Sequence, residues 1–224
     1  MQVVYKALLP LSLFIAFLCL QSGVADVTVL CLYGDWEALI SHPWSILTYA
    51  FIHLSAFHLV PILGVFFILI SLTKKRLSVS TYYFLFFLGV ISGALMFILI
   101  ESLSPASMLT SLTGASSGLT ALVAYCLLKM PQRYNLFLRI LSLVFIIIAD
   151  RLTLSLYNDL GFYSHLSGYL FGAGVALFTT YRTNKNRKLV DHKTILISKA
   201  NNSGYASLSD SEKQIIRKPA EDKR

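Results

Sequence analysis

A chain of 224 residues that is 56% hydrophobic and only 13% charged, with a mean hydropathy of +0.68, has too much apolar surface to close into one soluble domain. Its apolar runs approach the ~20 residues with which a helix spans a bilayer and lack strict alternation; this excludes a barrel and predicts an all-α, polytopic membrane helix bundle. The formal net charge is +8, and the expected partner is the lipid bilayer, with no nucleic acid.

In chain order the apolar runs predict six transmembrane helices over residues 5–22, 55–73, 81–101, 115–129, 134–150 and 160–181. Short spans among them need tilt or shelter within a bundle. Lys6 stands at the start of the first run, and Gly23-Val24-Ala25 follows it, so this segment reads either as a span or as a cleaved secretory signal. Cleavage would leave the later orientation unchanged. Segment 23–54 is long for a loop yet carries Tyr33, Trp36, Trp44, Ile46, Tyr49 and Phe51, which predicts a hairpin lying in the interface.

Lys74, Lys75 and Arg76 follow the second span, Lys129, Arg133 and Arg139 surround the turn between the fourth and fifth, and Arg182 follows the sixth. Asp26, Asp35, Glu37, Glu101, Asp150 and Asp159, against Arg151 alone, mark the opposite side. The positive-inside rule then places both termini in the cytoplasm of a multi-pass protein of the inner (plasma) membrane. The domain reading is a membrane domain over 1–181 and a basic cytoplasmic tail over 182–224, where eleven Lys and Arg face five acids. That tail reads as a solvated, largely flexible extension. Within it Asn201-Asn202-Ser203-Gly204 signals a turn, and Ser209 to Lys218 suits a short capped helix.

Two polar islands interrupt the apolar sequence: Gly114-Ala115-Ser116-Ser117-Gly118 opens the fourth span, and Ser164-His165-Leu166-Ser167-Gly168 lies at the start of the sixth. Ionisable groups inside a bilayer are costly and mark function by default. Ser116 and His165 fall at one depth on the outer side, where a serine nucleophile and a histidine base can meet. Gly114 and Gly118, like Gly168 and Gly172, are four residues apart, the small-xxx-small spacing of close helix packing. Packing alone also accounts for that spacing.

Gly114-Ala115-Ser116 with Ala121-Leu122 and Tyr125 resembles the nucleophile helix of the rhomboid family of intramembrane serine proteases, whose motif is Gly-x-Ser-Gly. His165-Leu166-Ser167-Gly168 with Gly172 is similar to the family's last core helix. His42-Pro43-Trp44-Ser45-Ile46-Leu47-Thr48-Tyr49-Ala50-Phe51-Ile52-His53, followed by His58, is similar to its first loop and second helix. The resemblance covers residues 5–181, and the tail Ser203-Gly204-Tyr205-Ala206-Ser207-Leu208 with Glu212-Lys213 resembles tails of Bacteroidetes rhomboids.

The resemblance implies a Ser116–His165 dyad that cleaves transmembrane protein substrates near the outer face, with no cofactor and no metal. It implies His58 and the Ser116 amide as oxyanion donors. Ser117 stands where the family has glycine; the positions of Ala121, Leu122 and Tyr125 fit a count from Ser116 and not from Ser117. Ile62 stands where the family has a second, asparagine oxyanion donor, which leaves Ser117 as a substitute donor, and Thr120 stands where an aromatic residue packs on the base. These departures motivate the alternative of a catalytically silent rhomboid-like protein that binds transmembrane clients.

The remaining residues read as structural. Cys19, Cys31 and Cys126 form no disulfide framework, and His42, His53 and His58 lack zinc spacing. Asp150 and Arg151 read as interfacial anchors or a local pair, not as catalytic groups. A transporter would show inverted repeats, and none is evident.

Overall fold

Apolar helices that are hydrophobic on both their buried and their exposed faces build this protein. The structure, a computed structural model, describes residues 2–73, 76–103, 110–129, 136–154 and 159–217, arranged in two compact units, Met1–Ala176 and Leu177–Arg224. Of the predicted cationic anchors, Lys74, Lys75 and Arg133 lie outside the described residues, as does Lys218.

The first unit opens with α1 (Gln2–Gln21), followed by the short elements α2 (Val27–Leu30), β1 (Leu32–Tyr33), α3 (Trp36–Ser41), α4 (Ser45–Thr48) and a 3-10 turn (Tyr49–Phe51). Then come α5 (Ala56–Thr73), α6 (Val79–Leu103), β2 (Ser111–Leu112), α7 (Ser116–Leu128), α8 (Leu136–Leu154) and α9 (Asp159–Ser203), of which the residues to Ala176 belong to this unit. On α1, Leu9 and Leu13 are buried while Val4, Leu8, Leu11, Ile15 and Leu18 are exposed. An aqueous surface would select charged residues at those exposed positions; their apolar character marks a lipid-facing side. α1, α5 and α6 are each long and apolar enough to cross a membrane unaided. The fold is therefore an all-α, multi-pass membrane helix bundle.

α7 is the exception in length, with 13 residues, and Ser117 to Leu122, Ala124 and Leu128 are buried along it. It packs on α5, α6 and α8. Neighbouring helices replace lipid around it, so it need not match the bilayer thickness. The contacts with α6 and α9 are close because glycine stands on one side of each. A Cβ at Gly89 would fall 2.6 Å from the Ala121 Cβ, one at Gly118 would meet the Phe86 ring, and one at Gly172 would overlap the Ala121 carbonyl. Beneath α7, Phe66 packs between Tyr82 and Phe86 with ring centroids 6.5 and 5.8 Å apart.

Charges inside the bundle serve helix ends. Lys6 is fully buried, and its Nζ donates to the Thr73 carbonyl, at the last residue of α5, over 2.9 Å. Arg139 donates to the Leu128 carbonyl at the end of α7 over 2.9 Å. Segment 23–54 is more ordered than an interfacial hairpin. Asp26 caps α2 through the Thr28 amide (2.8 Å), Asp35 caps α3 through the Ala38 amide (2.6 Å), and β1 pairs antiparallel with β2, Leu32 opposite Leu112. This pairing straps the segment to the chain leading into α7.

The second unit comprises the rest of α9, a 3-10 turn (Tyr205–Ser207) and α10 (Asp210–Arg217). The apolar run ends near residue 181, but the helix does not. Residues 182–203 contain no Gly or Pro, and Gly204, with φ +81°, follows the last helical residue. The expected capped helix is present as a capping box: the Ser209 amide donates to Glu212 over 2.7 Å, and the Glu212 amide to the Ser209 hydroxyl over 3.3 Å. Leu196 and Leu208 are buried within this unit.

The Ser209 amide, then Lys199 and the Ser209 hydroxyl, pull the Glu212 carboxyl down to about 2. A depressed carboxyl contributes stability that is complete above its unfolded value of ~4.3 and is lost as the pH falls toward 2. A carbon-detected titration of Glu212 in the full chain is expected to show a midpoint well below that of an unpaired glutamate. Replacing Gly172 by Ala is expected to destabilise the first unit by about 1–3 kcal/mol in thermal unfolding in detergent. Gly174→Ala, where a Cβ meets nothing within 4 Å, is expected to be neutral or stabilising.

Candidate active site

The chain enters α7 through Gly114, whose φ of +104° is a left-handed value that favours glycine. Its amide donates to the Tyr49 carbonyl over 2.8 Å, and the Ala115 amide faces His53 Nε2 at 3.4 Å. This turn makes Ser116 the first helical residue, with its amide among those at a helix start that no intrahelical carbonyl satisfies. His58 fills the space beside Gly114, where a Cβ would lie 2.6 Å from its Cε1, and its ring centroid is 5.0 Å from that of His53. Glycine is thus required there both by backbone conformation and by the imidazole.

His165 approaches from α9. Its Nε2 lies 2.6 Å from the Ser116 Oγ, the short contact of a hydroxyl donating to an imidazole nitrogen. Thr120 links the two helices at the same level, its Oγ1 standing 2.9 Å from the Ser117 carbonyl and 3.1 Å from the His165 carbonyl. A Cβ at Gly168 would collide with Thr120 Oγ1 and the Ser117 carbonyl, so the absence of a side chain at Gly168 permits the approach. On the other side of the ring, His165 Nδ1 lies 2.9 and 3.1 Å from the two carboxylate oxygens of Asp150. The His165 and Asp150 side chains are 16% and 18% exposed, so this pair is shielded but reachable.

Ser116, His165, His58 and Gly114 are therefore brought together. Ser117 is not. It is 1% exposed, and its Oγ is 2.8 Å from the Tyr49 hydroxyl, which itself donates to the Val90 carbonyl over 2.8 Å. With the Tyr49 proton committed to Val90, Ser117 must donate to Tyr49, which turns it away from the role of substitute oxyanion donor. Gly118 and Gly172 pack α7 against α6 and α9 away from the reacting groups. Ile62 is buried in the apolar core and has no group to donate.

Asp150 was missed as a neighbour of His165, which it binds, while Arg151 lies over the Phe162 ring at 5.1 Å. Its predicted depth, matching that of His165 at the adjoining end of the next span, is the signal that pointed to it. Among the described residues no group of three or more His, Cys, Asp or Glu side chains is arranged to hold a metal ion.

The family model for the Rhomboid domain matches residues 41–182, which include both polar islands and all of the site's residues. The chain belongs to the rhomboid family. No curated protein matches it. Within this rhomboid, α1 and most of the second unit lie outside the matched region.

Removing the Tyr49 hydroxyl breaks buried hydrogen bonds to Val90 and Ser117 that join the turn before α5 to α6 and α7. Tyr49→Phe is expected to cost about 1–3 kcal/mol, because the Ser117 hydroxyl and the Val90 carbonyl both lose a partner. Thermal unfolding in detergent, compared with Ser117→Ala, measures it.

Proposed function

We propose that this rhomboid is an intramembrane serine endopeptidase that hydrolyses peptide bonds of membrane-anchored proteins near the outer membrane face. The observation that carries the reading is the 2.6 Å approach of His165 Nε2 to Ser116 Oγ. As Ser116 Oγ forms a bond to the substrate carbonyl carbon, His165 Nε2 takes the hydroxyl proton. His165 then returns that proton to the leaving amine as the C–N bond breaks. Water, deprotonated by the same nitrogen, hydrolyses the acyl-enzyme and restores Ser116.

The developing oxyanion is met by the Ser116 amide at the positive end of α7 and by His58. A substrate helix hides its carbonyls in its own hydrogen bonds, so the scissile segment has to unwind where it meets the site. The protein sits in the inner (plasma) membrane with both termini cytoplasmic. Support comes from Lys6, from Lys129 after α7 and Arg139 in the first turns of α8, and from Asp26 and Asp35 in segment 23–54.

One observation favours a binding-only rhomboid: buried Ile62 leaves the oxyanion with one donor fewer. Loss of such a donor typically slows acyl transfer ~10²- to 10³-fold, which leaves measurable catalysis. Purified protein in liposomes is expected to cleave a tagged single-span substrate, and Ser116→Ala and His165→Ala to abolish cleavage. Ser117→Ala retains it, and His58→Ala lowers it a further ~10²-fold. A fluorophosphonate is expected to label Ser116, mapped by mass spectrometry. No cleavage of any of several substrates by the native chain selects the binding-only reading, and survival of cleavage in Ser116→Ala overturns the nucleophile.

A further inference from the structure

We infer that Asp150 is a positioning residue for His165, adding a third member that orients the base of the Ser116–His165 site; the inference rests on the protease reading above. Both Asp150 oxygens lie within 3.1 Å of His165 Nδ1, and the opposite ring nitrogen lies 2.6 Å from Ser116. An ionised carboxylate only accepts hydrogen bonds. Nδ1 must then carry the ring proton, and a neutral imidazole with its proton on Nδ1 presents a lone pair at Nε2. That lone pair points at the Ser116 hydroxyl, as a general base requires.

The same contact orients the ring. α8 and α9 are separate helices, and a rotation of His165 about its χ angles that breaks the Ser116 contact also breaks two contacts to Asp150. When Nε2 takes the serine proton, the imidazolium that forms lies beside a negative charge already in place. No proton leaves Nδ1 in this scheme: the carboxylate orients and stabilises the ring while Nε2 alone exchanges protons with Ser116, the leaving amine and water. Among the described residues, His58 from α5 stands beside His165, and Tyr169 from α9 and the adjacent Arg151 stand beside Asp150.

This device also accounts for a departure noted in the sequence. Where the family packs an aromatic residue against the base, Thr120 reaches the His165 backbone and not its ring, whose contact from α7 is the Ser116 hydroxyl at Nε2. Asp150 supplies the support from α8 instead.

The test uses the full chain in detergent micelles with nitrogen-15-labelled histidine, the His165 signals being assigned by their loss in His165→Gln. In the native protein the ring proton is expected on Nδ1, and in Asp150→Asn that preference is expected to be lost. In the same preparations Asp150→Asn is expected to lower kcat for a single-span substrate by roughly 10²- to 10⁴-fold with KM nearly unchanged. Asp150→Glu is expected to recover part of kcat.

A native His165 carrying its proton on Nε2 overturns the inference, whether or not any variant folds. An Asp150→Asn protein with native kcat overturns it too, as does one whose kcat falls while the Nδ1 proton stays in place. A native chain with the Nδ1 proton held by Asp150 that neither cleaves substrate nor reacts with a fluorophosphonate sustains the positioning contact and rejects the protease reading.

Discussion

Direct contact between the backbone of α7 and the helices beside it is the constraint on which this structure depends. Gly89 on α6 and Gly168 and Gly172 on α9 bring their main chains against α7 where any side chain would intrude. In lipid there is little hydrophobic gain from bringing helices together, since the tails are as apolar as leucine. Association therefore relies on close van der Waals packing and on hydrogen bonds, and both strengthen as the backbones near each other. The Thr120 bridge and the 2.6 Å contact between Ser116 and His165 exist only because α7 and α9 meet in this way.

A second constraint follows from the first. A short helix surrounded by others gains by pairing its own polar groups at low dielectric, and the buried Ser117 and Thr120 hydroxyls of α7 both have partners. Ser117 is committed to Tyr49, Tyr49 to Val90 and Thr120 to two carbonyls, while the Ser116 hydroxyl faces His165. Adjacent serines at the start of one helix thus differ completely in surroundings: one faces a partly exposed histidine, the other a sealed packing layer. The β1–β2 pairing and the Gly114 turn hold the entry to α7 in register, so the position of Ser116 is set from the outer segment as well as from the bundle.

Much of this was legible in the chain. Composition and run length pointed to a helical membrane bundle, and the polar islands pointed to Ser116 and His165, because polar groups are costly in lipid and stand out against it. The Ser209–Glu212 box was legible for a similar reason, since a capping motif is local and acts within four residues. The end of α9 was not, because the end of an apolar run marks a change of solvent while the end of a helix marks a change of backbone conformation, and here they are some twenty residues apart. The role of Asp150 was obscured by its neighbour Arg151, which invited a local pairing.

The sequence by itself determined the solvent, the apolar helices and the two polar islands that stand out against them, because these depend on residue type and near-neighbour spacing. Tertiary structure alone decided that the Ser117 hydroxyl is withheld by Tyr49 and that a carboxylate from α8 stands behind the imidazole. These outcomes depend on how far each helix is rotated about its axis. That rotation is set by the sum of contacts with several neighbours at once, a quantity no single stretch of residues contains.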